Sequence, residues 1–171
     1  VHVTEQALKR LALDEIWWLV SPQNPLKPEI GMDRFANRLA GARSVARKLA
    51  HVRVTDIETR LGTRYTVDTL AALHRRFPAT RFVWLIGADN LRQIRHWRRW
   101  RRIFETTPIA VFARPYHSLD ALAGLAARRY AARGIRPAKA RFLADAAPPA
   151  WSFFPVRLDP TSATAIRAAR T

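Results

Sequence analysis

The sequence has no cysteine, one methionine and six scattered glycines in 171 residues. Without cysteine there is no disulfide, no thiolate nucleophile and no thiolate metal site, and a reducing compartment suits such a chain. The glycines form neither G-x-G-x-x-G nor G-x-x-x-x-G-K-[ST], which removes the ordinary dinucleotide fingerprint and the P-loop. No apolar run approaches the roughly 18 to 20 residues that span a bilayer, and the first residues show no basic region followed by an apolar block and a cleavage site. A cytoplasmic protein with no membrane partner is expected. Acidic side chains are also scarce: 13 Asp and Glu stand against 30 Lys and Arg, a formal net charge of +17. That potential attracts polyanions. Nucleic acid, anionic lipid and nucleotide phosphates all qualify, and an Arg- and Ala-rich composition can also reflect codon bias with no partner implied. No carboxylate pair stands in a glycosidase-like setting. The five histidines, at 2, 51, 74, 96 and 117, lack close metal-ligand spacings such as H-E-x-x-H, so no metal caged by the protein is expected.

What is present is apolar in 49% of positions, enough for one domain over residues 1–171 with a real core. Short runs rich in branched and aromatic residues, Ile16 to Val20, Val52 to Ile57, Phe82 to Ile86, Ile109 to Ala113 and Phe153 to Val156, read as buried strands. Between them, helical spacing joins Phe35, Leu39, Ala42 and Ala46, then Val67, Leu70, Ala71 and His74, then Leu119, Leu122, Leu125 and Ala126. This alternation predicts an α/β fold: a doubly wound, Rossmann-like parallel sheet with helices on both faces and ligands at the carboxyl ends of its strands. Val3, Ala7, Leu8 and Leu11 give a helical face at the outset with no strand before it, so the first strand of the pattern is expected to be missing. The Pro-rich stretch Ala147 to Pro160 reads as a loop carrying one short strand.

Candidate site residues follow from the loops after strands. Phe82 to Ile86 runs into Gly87-Ala88-Asp89-Asn90. Gly87 permits close backbone approach and Asp89 can accept hydrogen bonds from ribose hydroxyls, or the Asp and Asn simply cap a helix. Trp97 and Trp100 sit among arginines in the segment from Arg92 to Arg102. Interleaved aromatic and basic residues suit a base-stacking platform beside phosphates, a nucleic-acid-binding helix, or an amphipathic helix with Ile94, Trp97 and Ile103 in the core. Thr161 to Arg167 puts hydroxyls at a helix start with Arg167 one turn on, a phosphate site or a plain cap. Arg64 to Leu70 offers Tyr65 and Thr66 at another helix start, and the loop Ser21 to Pro28, stiffened by prolines, presents Asn24 and Lys27.

In this order the segments resemble the bacterial nicotinate-nucleotide adenylyltransferase family. Ser21 to Pro28 is similar to its Pro-rich loop with Lys, Arg64 to Leu70 to its S-Y-T-x-D-T-L segment with Arg64 in place of serine, and Ile86 to Asn90 to its I-G-x-D-S/N turn. Trp97 to Trp100 matches its paired tryptophans, Arg114-Pro115 its R-P after the next strand, and Thr161 to Arg167 its I-S-[SA]-T-x-I-R with Thr161 replacing isoleucine. The resemblance implies that the 5′-phosphate of nicotinate mononucleotide attacks the α-phosphorus of Mg·ATP, giving deamido-NAD and pyrophosphate, with Mg2+ held mainly by phosphates and water.

By the same resemblance Trp97 stacks on the pyridine ring, and Tyr65 and Thr66 lie near the nicotinate carboxylate. Gly87 and Asp89 line the nucleotide site, Ser162, Thr164 and Arg167 grip ATP phosphates, and Asn24, Lys27 and Arg114 are further phosphate contacts. A nucleic-acid partner is not expected. Members of the family begin with a strand and a G-G-[ST]-F-[DN]-P-x-H-x-G-H loop whose histidines face the ATP phosphates. Neither has a counterpart here, and His2 falls past that motif, so the catalytic residues stay unassigned. The missing strand would lie between Ile16 to Val20 and Phe82 to Ile86, so a gap or exposed strand edges are expected there, together with low or absent activity of the chain as written.

Overall fold

A computed structural model of the protein describes residues 1–22, 33–115 and 117–155. Five strands of four residues alternate with helices: β1 (Ile16–Leu19), β2 (Val52–Thr55), β3 (Trp84–Gly87), β4 (Ile109–Phe112) and β5 (Trp151–Phe154). α1 (His2–Leu11) precedes β1, α2 (Phe35–Ala46) lies before β2, and α3 (Ile57–Leu61) and α4 (Thr66–Arg76) lie between β2 and β3. α5 (Ala88–Gln93) and α6 (Trp100–Thr106) connect β3 to β4, and α7 (Ser118–Ala123) and α8 (Leu125–Arg129) follow β4. A 3₁₀ segment, Pro137–Asp145, leads towards β5.

Every strand pairing is parallel. β3, β4 and β5 form one sheet in that order, with Trp84 opposite Ile109 and Ile109 opposite Trp151. In β4 all four residues are fully buried. Because successive side chains of a strand point to opposite faces, Ile109 and Val111 enter one core while Ala110 and Phe112 enter another. The first core is completed by Val67 and Leu70 of α4, Leu91 of α5, and Ile103 and Phe104 of α6. The second takes Ala7 and Leu11 of α1, Leu143 of the 3₁₀ segment and Phe154. Helices therefore cover both faces of the sheet, as the alternation of elements predicts, and each large side chain so buried contributes about 1.5–3 kcal/mol.

β1 and β2 form a separate pair. Among the described residues β1 has no strand partner besides β2, and β3 none besides β4, so two strand edges are left unpaired where the missing strand was expected.

Three expectations need correction. The stretch from Arg92 to Arg102 is not one helix: α5 ends at Gln93, a 3₁₀ turn covers Ile94–His96, Trp97 is extended, and Arg99 adopts a left-handed conformation (φ 47°) before α6 begins. A continuous basic helix for nucleic acid is thereby lost. Of the face drawn through Leu119, Leu122, Leu125 and Ala126 only Ala126 is buried; the three leucines are exposed, and Ala121 and Ala127 are buried with Ala126. Gly124, extended and within 3.0 Å of the Ala121 carbonyl at its Cβ position, separates α7 from α8 and resets the register. The fifth strand begins at Trp151, two residues before the expected start, because Trp151 is the residue that pairs with Ile109.

Candidate active site

At the carboxyl end of β3, Gly87 passes directly into α5. A Cβ there would collide with a carboxylate oxygen of Asp89 and lie 3.0 Å from Nε of Arg114, so only glycine lets these two side chains close over the strand end. Arg114 follows β4, the neighbour of β3, and its Nε stands 3.9 Å from Oδ1 of Asp89. That is an ion pair but too long for a hydrogen bond. Oδ1 of Asp89 is buried and has no hydrogen-bond partner among the described residues. The capping reading of Asp89 is not what forms: Gly87 is the N-cap, and no side-chain cap is made. A buried carboxylate oxygen left free at a strand end has acceptor capacity for a ligand hydroxyl.

A second group borders the same core. Tyr65 is the N-cap of α4 and Thr66 its first residue, again without a side-chain cap, while Trp97 occupies the extended step between the 3₁₀ turn and α6. Tyr65 and Trp97 are both partly buried and pack on the core that holds Ile86, Ala88 and Leu91. Arg98 ties the two segments: its guanidinium lies 4.8 Å from the centre of the Tyr65 ring and 3.6 Å from Oδ2 of Asp68. The indole N–H of Trp97 is buried and has no acceptor among the described residues, and the same holds for Trp84 at the start of β3. Sequence reasoning gave no role to Arg98, which reads as one of a run of arginines, nor to Trp84. A paired aromatic and carboxylate three residues apart on α4 is the only signal that could have singled out Arg98.

Gly87, Asp89 and Arg114 thus come together, and Tyr65 and Trp97 pack on the core that includes Ile86 and Ala88, with Thr66 next to Tyr65 at the start of α4. Asn24, Lys27, Ser162, Thr164 and Arg167 lie outside the described residues. Among the described residues no group of three His, Asp or Glu side chains could hold a metal ion, and no helix is long and apolar enough to cross a membrane. Lys9, Arg10 and Arg141 line a separate depression of about 550 Å³ between α1 and the 3₁₀ segment, which includes none of these residues.

Residues 1–169 match the family model described as cytidylyltransferase-like. A probable nicotinate-nucleotide adenylyltransferase of Cereibacter sphaeroides is 51% identical over 168 residues, which cover 98% of this chain and 88% of the relative. The chain belongs to the nicotinate-nucleotide adenylyltransferase family. A second member, from Parvibaculum lavamentivorans, is 52% identical over 167 residues, 98% of this chain and 83% of that one. Among solved structures, Plasmodium falciparum nicotinic acid mononucleotide adenylyltransferase complexed with APC superposes with a TM-score of 0.62 at 12% identity, covering 95% of this chain and 68% of that one. At that identity the likeness speaks for the α/β fold alone, and the helices on both faces of a parallel sheet agree with it.

Proposed function

We propose that the chain, acting as one nucleotidyltransferase domain, adenylates nicotinate mononucleotide with Mg·ATP in the cytoplasm. The observation that carries this reading is the convergence at one strand end of Gly87, the buried Asp89 oxygen and Arg114, with Tyr65 and Trp97 each packed on the core that includes Ile86 and Ala88. An oxygen of the nucleotide's 5′-phosphate bonds to the α-phosphorus of ATP, the bond from that phosphorus to the β-bridging oxygen breaks, and pyrophosphate leaves with the electron pair. Such a transfer demands in-line positioning and stabilisation of phosphate charge more than covalent help from the protein. Magnesium enters as part of the Mg·ATP co-substrate. The single carboxylate at the site is already opposed by Arg114, which makes it a poor cage for a resident ion.

Trp97 offers a stacking face to the pyridine ring and Tyr65 and Thr66 offer donors to its carboxylate, which favours the acid over the amide. Asp89 accepts from ribose, and Gly87 leaves room for the nucleotide. Arg114 neutralises phosphate charge, as does Lys27, and the amide of Asn24 donates to a phosphate oxygen. Ser162, Thr164 and Arg167 hold the triphosphate. Trp97→Ala is expected to weaken nicotinate mononucleotide binding by roughly 5- to 150-fold, the equivalent of ~1–3 kcal/mol of stacking, with ATP affinity little changed. Unaltered nicotinate mononucleotide affinity in this variant would remove Trp97 from the role. Equal amounts of deamido-NAD and pyrophosphate from the two substrates test the reaction itself, and hydrolysis of ATP without deamido-NAD would contradict it.

A further inference from the structure

Glu58, on α3, is a carboxylate that the reaction above does not employ, yet it is only 7% exposed. Among the described residues no lysine or arginine pairs with it; nearby Arg60 is engaged by Asp56 and Thr55. Its oxygens instead take hydroxyl donors from two other parts of the chain. Ser21 donates to Oε2, and Thr69, fully buried on α4, donates to Oε1 at 3.0 Å. The Thr69 hydroxyl is also 2.9 Å from that of Thr63 and 3.3 Å from the Tyr65 carbonyl. With one proton to give, Thr69 can serve Glu58 while accepting from Thr63. The backbone N–H of Thr63 donates to the Glu58 carbonyl at 3.0 Å, closing the turn from α3 to α4 around Gly62, whose φ of 63° requires the left-handed region.

These bonds join two separate pieces of chain. One is the exit from β1, where the carbonyls of Ser21 and Pro22 are also held by Arg38 at 2.8 and 2.7 Å. The other is the start of α4, which carries Tyr65 and Thr66. An ionisable group so deeply buried, satisfied only by hydroxyls, is a poor source of stability compared with an apolar side chain of its size, which points to a role in placing its partners. We propose that Glu58 is a positioning residue for acceptor binding: through Ser21 and Thr69 it locks the start of α4 to the exit from β1, so that Tyr65 and Thr66 are fixed when nicotinate mononucleotide arrives.

This rests on the reading of Tyr65 and Thr66 as acceptor contacts, and the test keeps the two separable. In the full chain, amide hydrogen exchange and calorimetric titration of nicotinate mononucleotide are compared for the unaltered protein, Glu58→Gln, Glu58→Ala and Thr69→Val. Loss of a buried hydrogen bond to a charged group corresponds to about tenfold or more, so Glu58→Ala and Thr69→Val should speed exchange by that order at both 20–21 and 63–66, with β3 to β5 unchanged. They should raise the dissociation constant by a similar factor. Glu58→Gln, which can accept from one hydroxyl and donate to the other, should restore both readouts to within about threefold. If Glu58→Ala fails to fold, Thr69→Val and Glu58→Gln decide alone. Faster exchange confined to α3, or a variant that loosens both segments without loss of affinity, would overturn the proposal. If the unaltered protein does not bind nicotinate mononucleotide, the acceptor assignment fails, and coupled exchange of the two segments still tells whether Glu58 locks them.

Discussion

The two sheets are made of strands of equal length and parallel pairing, yet they are held in different ways. Every side chain of β4 is buried, and the three-stranded sheet is covered on both faces. In the β1–β2 pair only Ile16 and Thr55 are buried. That pair depends on contacts at its borders: Arg53 with Glu15 at 2.8 Å, the Trp17 ring edge-on to Phe77 and Phe82, and the hydroxyl network on Glu58. Gly87, Asp89 and Arg114, proposed above to meet the nucleotide, are mounted on apolar packing. Tyr65 and Thr66, proposed to meet the acceptor, are adjoined by a polar network. Core substitutions should therefore cost more stability in the three-stranded sheet than in the β1–β2 pair, and substitutions at the strand-end side chains should act on binding.

The largest effect should come from cutting into the three-stranded sheet. Phe112, fully buried and stacked on Phe154 at 4.9 Å, should cost about 3–5 kcal/mol as Phe112→Ala. Val54→Ala in half-buried β2 should cost about 1 kcal/mol. Denaturant unfolding of the two variants measures the contrast directly, and equal losses would abolish it. Next comes Gly87→Ala, in which the added methyl must displace Asp89 and press on Arg114; ATP affinity should fall by about tenfold, of the order of a lost charged hydrogen bond, at nearly unchanged stability. Titration with ATP checks this, and an affinity equal to that of the unaltered protein would mean that the two side chains do not close over bound nucleotide.

The smallest effect expected is one of pH. Burial holds His74 below its ordinary pKa of 6.5, while its ring nitrogen lies 2.9 Å from the Thr107 hydroxyl. The unfolded chain then takes up the proton more readily than the folded one. Stability from this residue is complete above pH 6.5 and is lost as the pH falls towards the lower, folded value. Thermal melts between pH 7.5 and 5.5 should drop for the unaltered protein and drop less for His74→Gln.

Much of this was legible in the residues. Period and composition located all five strands, and the spacing of Phe35, Leu39, Ala42 and Ala46 marks both ends of α2. The motif Gly87 to Asn90 read from sequence as either a strand-end site or a helix cap, and no side-chain cap forms there. Reading failed where tertiary contacts outweigh local pattern. Arg99 in a left-handed conformation breaks what spacing alone presents as a helix, and it sets Trp97 apart from Trp100, so that one is partly buried and the other is buried against Phe104 and Tyr130. Leucines at 119, 122 and 125 look like a core stripe, but the close approach of α5 to α7 and α8 selects the small Ala121, Ala126 and Ala127. Glu58 could not be found from sequence because its two hydroxyl donors, at 21 and 69, are brought together only by the fold.

Calorimetric titration of the folded protein with nicotinate mononucleotide and, separately, with nicotinamide mononucleotide tests the central claim most directly. A clear preference for the acid is predicted, because Tyr65 and Thr66 offer donors and Trp97 a stacking face. Equal affinity for the two, or binding of neither by protein shown to be folded, would contradict the account.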